Sequence, residues 1–203
     1  DGSSVMVGGF LGVGTSELLI DAIAESGVQN LTVIANDTGF ETIGVGKLIV
    51  SGQATGAIAS HVGTNKETGI RFNNGSLKLE LSPQGTLAER IRSGGTGLGG
   101  VLTPTGIGTE VEDGKDKIIV NGKEYLVELP LQADVAILKG SIVDKSGNVY
   151  YEGTTKNFQI VMALAAETVI VEAEKLVEVG EINPNYVMTP GALVDWIVLG
   201  GDK

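Results

Sequence analysis

Four apolar stretches of this 203-residue chain run into residues able to do chemistry. The first ends in Gly8-Gly9-Phe10-Leu11-Gly12-Val13-Gly14. The bare amides of such a segment, with the start of a following helix, could cradle a phosphate or diphosphate, while a tight turn packing helix on sheet would need the same residues. The second ends in Asn36-Asp37, the third in His61-Val62-Gly63 and the fourth in Gln84. Asn36 and Gln84 carry neutral amides, which can donate to a developing oxyanion without adding a charge that must be neutralised. Pinning nearby loop backbone is the other use of such amides. His61 is the one imidazole, a candidate general base set against the commoner role of a hydrogen-bonded structural residue.

Two further patterns carry less chemistry. Gly95-Thr96-Gly97-Leu98-Gly99-Gly100 matches the dinucleotide fingerprint letter by letter, but it follows a helical stretch instead of a strand, and Pro104, Gly106 and Gly108 preclude a helix after it. A flexible flap near a ligand and a plain surface loop both remain readings of it. Glu110, Glu112, Asp113 and Asp116 form an acidic run that reads as a solvated face.

The elements that must position these groups alternate between strand and helix. Ser4–Val7 is expected as a strand, and residues 17–25 as a helix capped by Thr15 or Ser16 and ended by Gly27. Residues 31–35 and 55–60 are apolar and read as strands buried on both faces; residues 77–81 form another, and 86–92 a helix. Such alternation argues an α/β fold with a mostly parallel sheet, whose ligands collect at the carboxyl ends of the strands. Residues 94–108 read as a long loop, and Lys117–Val120, Asn121-Gly122 and 124–127 as a hairpin. A second hairpin is expected from 133–143 and 149–151 around a turn at 144–147, then a helix over 157–166, a strand over 168–172, and a helix or strand over 193–199. No internal repeat or linker is visible, so residues 1–203 read as one domain.

Composition narrows the function. With 14 Lys and Arg against 25 Asp and Glu the net charge is −11, which disfavours nucleic acid or an anionic membrane surface as partners and leaves backbone dipoles as the main holders of any anion. There is no cysteine and one histidine, which removes disulfides, thiol nucleophiles and multi-histidine metal sites. No apolar run approaches the ~18 residues that span a bilayer, and no signal peptide is visible, so the chain reads as cytoplasmic. The 31 glycines are roughly twice ordinary usage without a fibrous period.

The ordered blocks Asp1-Gly2-Ser3-Ser4-Val5-Met6-Val7-Gly8-Gly9-Phe10 with Gly14, Ile34-Ala35-Asn36-Asp37-Thr38, Ala59-Ser60-His61-Val62-Gly63-Thr64-Asn65, Pro83-Gln84-Gly85-Thr86-Leu87, residues 94–100, Thr103-Pro104-Thr105-Gly106 and Thr189-Pro190-Gly191 span nearly the whole chain. Together they resemble the α subunit of two-subunit, family I 3-oxoacid coenzyme A transferases, of the acetate, butyrate and acetoacetate type. Ser16 departs from the proline usual in the signature. The resemblance implies an open α/β sheet with added β-hairpins, shared with some sugar-phosphate isomerases. It further implies ping-pong transfer of CoA between a short-chain acyl-CoA (acetyl-, butyryl- or acetoacetyl-CoA) and a free carboxylic acid through a glutamyl-CoA thioester. That glutamate would belong to a partner β subunit, in a hetero-oligomer such as α2β2 or α4β4; Glu152-Gly153 is the nearest imitation of its motif in this chain. By the same carry-over segment 8–14 would bind CoA, and Gln84 and Asn36 would approach the oxyanion and acyl group. Coenzyme A would be a substrate, with no permanently bound cofactor and no metal. Two other readings are a ribose-5-phosphate-type isomerase, from the likeness of Gly12-Val13-Gly14-Thr15-Ser16 to its phosphate loop, and a non-catalytic nucleotide-binding module. The isomerase loop's expected glycine between Thr15 and Ser16 is missing, as is an Asp-Gly-Ala-Asp block.

Overall fold

The computed structural model describes residues 1–200. Seven parallel strands form its main sheet: β1 (Ser4–Val7), β2 (Leu31–Asp37), β3 (Ala54–His61), β4 (Lys78–Leu81), β8 (Ala133–Gly140), β11 (Ala166–Ala173) and β13 (Trp196–Leu199), in the order β13-β11-β8-β1-β2-β3-β4. Strand order therefore runs one way from β1 through β4 and the other way from β8 through β13. The reversal, between β1 and β8, is where open α/β sheets leave a crevice for ligands.

Side-chain alternation along these strands builds two cores. Val5, Val7, Val33, Ala35 and Ile137 face α1 (Glu17–Ser26) and α2 (Val45–Val50), meeting Leu19, Ile20, Leu48 and Ile49. Met6, Ile34, Ala136 and Leu138 face the other way, toward Leu87 and Ile91 of α4 (Gln84–Thr96) and Met162 of α5 (Gln159–Ala163). The continuous apolar runs noted in the sequence are thus buried on both faces, as a parallel sheet requires.

Several elements differ from the sequence reading. Helix α2 has six residues, too few to show a period, and α3 (Lys66–Asn73) buries only Thr68 and Arg71, so neither displays the apolar stripe by which helices are recognised. The only signal for α3 is its cap, Asn65, whose side chain accepts from the Glu67 amide. The expected long loop over 94–108 begins as helix: α4 continues through Gly94 and Gly95, where a Cβ would lie 2.0 Å from the Leu131 carbonyl oxygen and 2.6 Å from Leu164, and ends at left-handed Gly97. Of the dinucleotide-like glycines, Gly95 is packed within the helix and Gly97 ends it, while Gly99 and Gly100 lie in an irregular stretch that leads into β5 (Val101–Thr103). Strand β5 pairs with β7 (Lys123–Glu128), which forms the expected hairpin with β6 (Lys117–Val120) through Asn121 and Gly122, both at positive φ. The second hairpin is smaller than expected. Residues 133–140 join the main sheet, and only β9 (Ile142–Asp144) pairs back with β10 (Val149–Tyr150), with β12 (Leu176–Val177) on its other side. Thr189, in the Thr-Pro-Gly block, bonds the Tyr151 hydroxyl at 2.9 Å, and burial of that phenol pushes its pKa up to about 12 against the effect of this bond.

The β5-β7-β6 sheet is fastened to the domain by buried charge. Arg90 bonds Glu80 and the Leu129 carbonyl and lies 3.8 Å from Glu128, whose other oxygen takes Lys115 at 2.7 Å. Arg90 and Glu128 are both nearly inaccessible. Removing Arg90 leaves Glu128 to Lys115 alone and takes the donor from the Leu129 carbonyl, while Glu80 can turn to solvent, so the cost falls below the ~3–5 kcal/mol of an isolated buried pair. Arg90→Ala is accordingly expected to lower the unfolding free energy in urea by about 2 kcal/mol; a loss below about 1 kcal/mol would show that the cluster adds little.

Candidate active site

Segment 8–14 is a miniature hairpin. Phe10 and Val13 exchange both backbone hydrogen bonds around Leu11 and Gly12, whose φ values of 47° and 86° are those of a turn matched to strand twist. Neighbouring residues impose the glycines at its base: a Cβ on Gly8 would fall 2.1 Å from Gln159 Oε1, and one on Gly14 2.7 Å from the Thr155 carbonyl oxygen. A pattern missed in the sequence recurs after β2, where Gly39, Phe40, Ile43 and Gly44 form a second tip closed by a Phe40–Ile43 bridge. The two tips touch, with Ile43 lying 3.4 Å from where a Gly12 side chain would begin, and both expose their phenylalanines.

The amide cradle expected here is not built. Gly8 N–H donates to Ile137 O, Gly9 to Asn157 Oδ1, Leu11 to Asp37 Oδ2, and Phe10 and Val13 to each other. Only the Gly12 and Gly14 amides lack a partner among the described residues. The start of α1 is also taken, because Ser16, its N-cap, accepts from Leu19 N and donates to the buried Glu172 carboxylate at 2.6 Å. A carboxylate thus lies against the capping side chain at the positive end of the helix. Serine in place of proline at position 16 is what supplies that hydroxyl.

Two amides hold the hairpin's underside, and sequence reasoning missed both. Asn157 accepts from Gly9 N and donates to Val13 O at 3.0 Å; Gln159 donates to Gly14 O at 2.6 Å and accepts from Lys139 N on β8. Their placement follows from the fold-back of α5 onto the β1–β8 reversal, and an asparagine just before a helix was the only local hint.

Asn36 and Gln84, predicted from strand ends, meet. Gln84 Nε2 donates to Asn36 Oδ1 at 2.7 Å, and Ser60 at the end of β3 donates to Asn36 O at 2.7 Å, with its hydroxyl 3.2 Å from Asn36 Oδ1. Asn36 is 2% exposed, whereas Gln84, the first residue of α4, is exposed. The buried amide is therefore fixed by its neighbours, while the exposed one is open to solvent. Asn36 Nδ2 donates to Asp37 Oδ2 at 2.8 Å, so the carboxylate contacts both this pair and the glycine hairpin.

Neighbouring charges are largely engaged. Lys47 bonds Glu17 at 2.7 Å and Asp21 at 2.5 Å; burial opposes its charge, but the two carboxylates outweigh it and keep the pKa above the ordinary lysine value. Lys139 is held similarly, with burial opposed by Glu174 at 3.0 Å and Glu172 at 3.5 Å. Lys66 is exposed on α3. His61 is exposed at the end of β3, level with Asp37, and its ring makes no hydrogen bond among the described residues. Glu152 is exposed before the 3-10 turn Gly153–Lys156, and its carboxylate has no partner among the described residues. No metal-binding cluster and no helix long and apolar enough to cross a membrane occur among the described residues.

Known proteins resemble this chain over nearly its whole length. The coenzyme A transferase family model matches residues 1–200. The acetoacetyl-CoA:acetate/butyrate CoA transferase alpha subunit of Clostridium acetobutylicum is 57% identical over 198 residues, which are 98% of this chain and 91% of the relative. The acetate CoA-transferase subunit alpha of Escherichia coli is 51% identical over 203 residues, 100% of this chain and 92% of the relative. In fold, an acyl-CoA transferase from Escherichia coli, solved as a thioester complex with CoA, superimposes with a TM-score of 0.90 at 23% identity; this chain is covered entirely and spans 45% of that one. The isomerase reading finds no support in these matches, nor in a hairpin most of whose amides are used internally. By sequence over essentially its full length, this chain belongs to the coenzyme A transferase family of enzymes.

Proposed function

We propose that the chain is the α subunit of a CoA-transferase that moves CoA between a short-chain acyl-CoA and a free carboxylic acid, in a cytoplasmic hetero-oligomer with a β subunit, and that residues 1–203 act as one domain. The observation that carries this is the Gln84–Asn36 amide pair, set at the carboxyl end of the sheet beside the glycine hairpin. The nucleophile, a glutamate, comes from the partner. Its carboxylate attacks the thioester carbonyl, CoA leaves as the thiolate, and the anhydride formed is opened by CoA to a glutamyl thioester and a free acid. The acceptor acid then reverses these steps. Each addition places negative charge on one oxygen, to which the second Nε2 hydrogen of Gln84 donates. The hairpin meets acyl-CoA through its apolar tip at Phe10, Leu11 and Val13 and through close backbone approach at Gly12, while cations for the CoA phosphates are supplied largely by the partner.

Substrate choice follows from charge. Of the two lysines nearest in sequence to the strand ends, Lys47 is already bonded to two carboxylates and Lys66 stands exposed on α3. No cation among the described residues bonds the amide pair, so a second carboxylate on the acyl group lacks a fixed anchor there. The assembled enzyme is expected to prefer acetyl-, butyryl- or acetoacetyl-CoA to succinyl-CoA by about tenfold or more in kcat/KM. A preference for succinyl-CoA in competition assays would overturn this assignment.

A further inference from the structure

We infer that Asp37 is a positioning residue for the transfer, fixing the direction of the Asn36–Gln84 amide pair and joining it to the tip of the glycine hairpin. This rests on the reading of Gln84 as oxyanion donor. Asp37 is buried at the end of β2 and accepts three hydrogen bonds, from Leu11 N at 2.9 Å and Asn36 Nδ2 at 2.8 Å on Oδ2, and from Gly39 N at 2.9 Å on Oδ1.

An ionised carboxylate only accepts, whereas an amide has a donor end and an acceptor end. Asn36 must therefore turn Nδ2 to Asp37 and Oδ1 away. That oxygen calls for donors, and Gln84 Nε2 at 2.7 Å is turned inward to it, with Ser60 Oγ beside it at 3.2 Å. One Nε2 hydrogen of Gln84 is used on Asn36, and the other projects from the same nitrogen at the exposed end of the chain of bonds. Without an obligate acceptor at its head, the chain could run in either direction. In the reverse direction Gln84 would turn Oε1 to Asn36 and lose the fixed placement of its donor. Because Leu11 N shares the same oxygen, the hairpin tip and the amide pair are set by one group.

The test is a double-mutant cycle in the complex with the β subunit. Asp37→Asn keeps the shape but can present either end to Asn36. It is expected to lower kcat at least about fivefold while the KM for the acceptor acid stays within about twofold. In a Gln84→Ala background the same substitution should change kcat less than about twofold, since no donor remains to be directed. Asn36→Leu cuts the chain one link later and leaves the bonds of Asp37 to Leu11 and Gly39; it should match Gln84→Ala in kcat, and it provides the test if Asp37→Asn fails to assemble. Wild-type kcat in Asp37→Asn or Asn36→Leu, or an undiminished effect of Asp37→Asn in the Gln84→Ala background, would overturn the inference. Normal turnover in Gln84→Ala would remove the oxyanion reading and this inference with it, whereas an impaired Gln84→Ala beside a normal Asp37→Asn would remove this inference alone.

Discussion

Gln84→Ala is expected to lower the turnover number of the assembled enzyme at least about tenfold, toward the hundredfold to thousandfold loss typical of one oxyanion donor. Acyl-CoA affinity and subunit assembly should change little. Gln84 is exposed, and among the described residues its side-chain amide makes one hydrogen bond, to Asn36. Truncation does not strand the buried partner, because the Ser60 hydroxyl still lies 3.2 Å from Asn36 Oδ1 and bonds the Asn36 carbonyl. Helix α4 keeps its start, which is set by Pro83 and by the Leu87 N–H to Pro83 carbonyl bond. The loss should therefore fall on kcat and on the acyl-transfer transition state. Steady-state kinetics, with size-exclusion chromatography to check assembly, measure it; a loss under about tenfold would leave Gln84 as a residue that only holds the loop.

Gly12→Val is expected to raise the KM for acyl-CoA by about tenfold or more with the complex intact. At φ 86° a β-branched residue is strongly disfavoured, so the two-residue turn opens and Leu11 leaves its bond to Asp37. The new side chain would also press on Ile43 of the second tip. Away from this turn the base of the hairpin stays clasped by Asn157 and Gln159, which confines the damage to the tip. Unchanged acyl-CoA binding, measured by titration calorimetry, would make the hairpin a packing turn and remove it from the cofactor site.

What the sequence disclosed, and what it withheld, follow from the range of the forces involved. Strands β2 and β3 were legible because a buried parallel strand is a continuous apolar run, and α1 because Ser16 and Gly27 mark its ends. Asn36 and Gln84 were legible as positions, since a strand end is a local feature. Their meeting was not, because it depends on the β2-β3-β4 order, which puts Ser60 of β3 against Asn36 and brings in Gln84 from beyond β4. For the same reason the hairpin's amides seemed free. Their partners, Asp37, Asn157 and Ile137, come from three distant segments that converge only once β8 lies beside β1. Helix α3 lacked an apolar stripe, and the Gly94-Gly95 pair resembled a loop because the contacts that require glycine there belong to residues 131 and 164.

The central claim is that this chain supplies the amide donor and the apolar hairpin of the active site while a β subunit supplies the nucleophile. It is tested most directly by isotope exchange between acyl-CoA and labelled free acid, run with the purified chain alone and after addition of the β subunit. The account predicts no transfer by the chain alone, with activity rising in proportion to added β subunit until the two are equimolar; sustained exchange by the chain alone would contradict it.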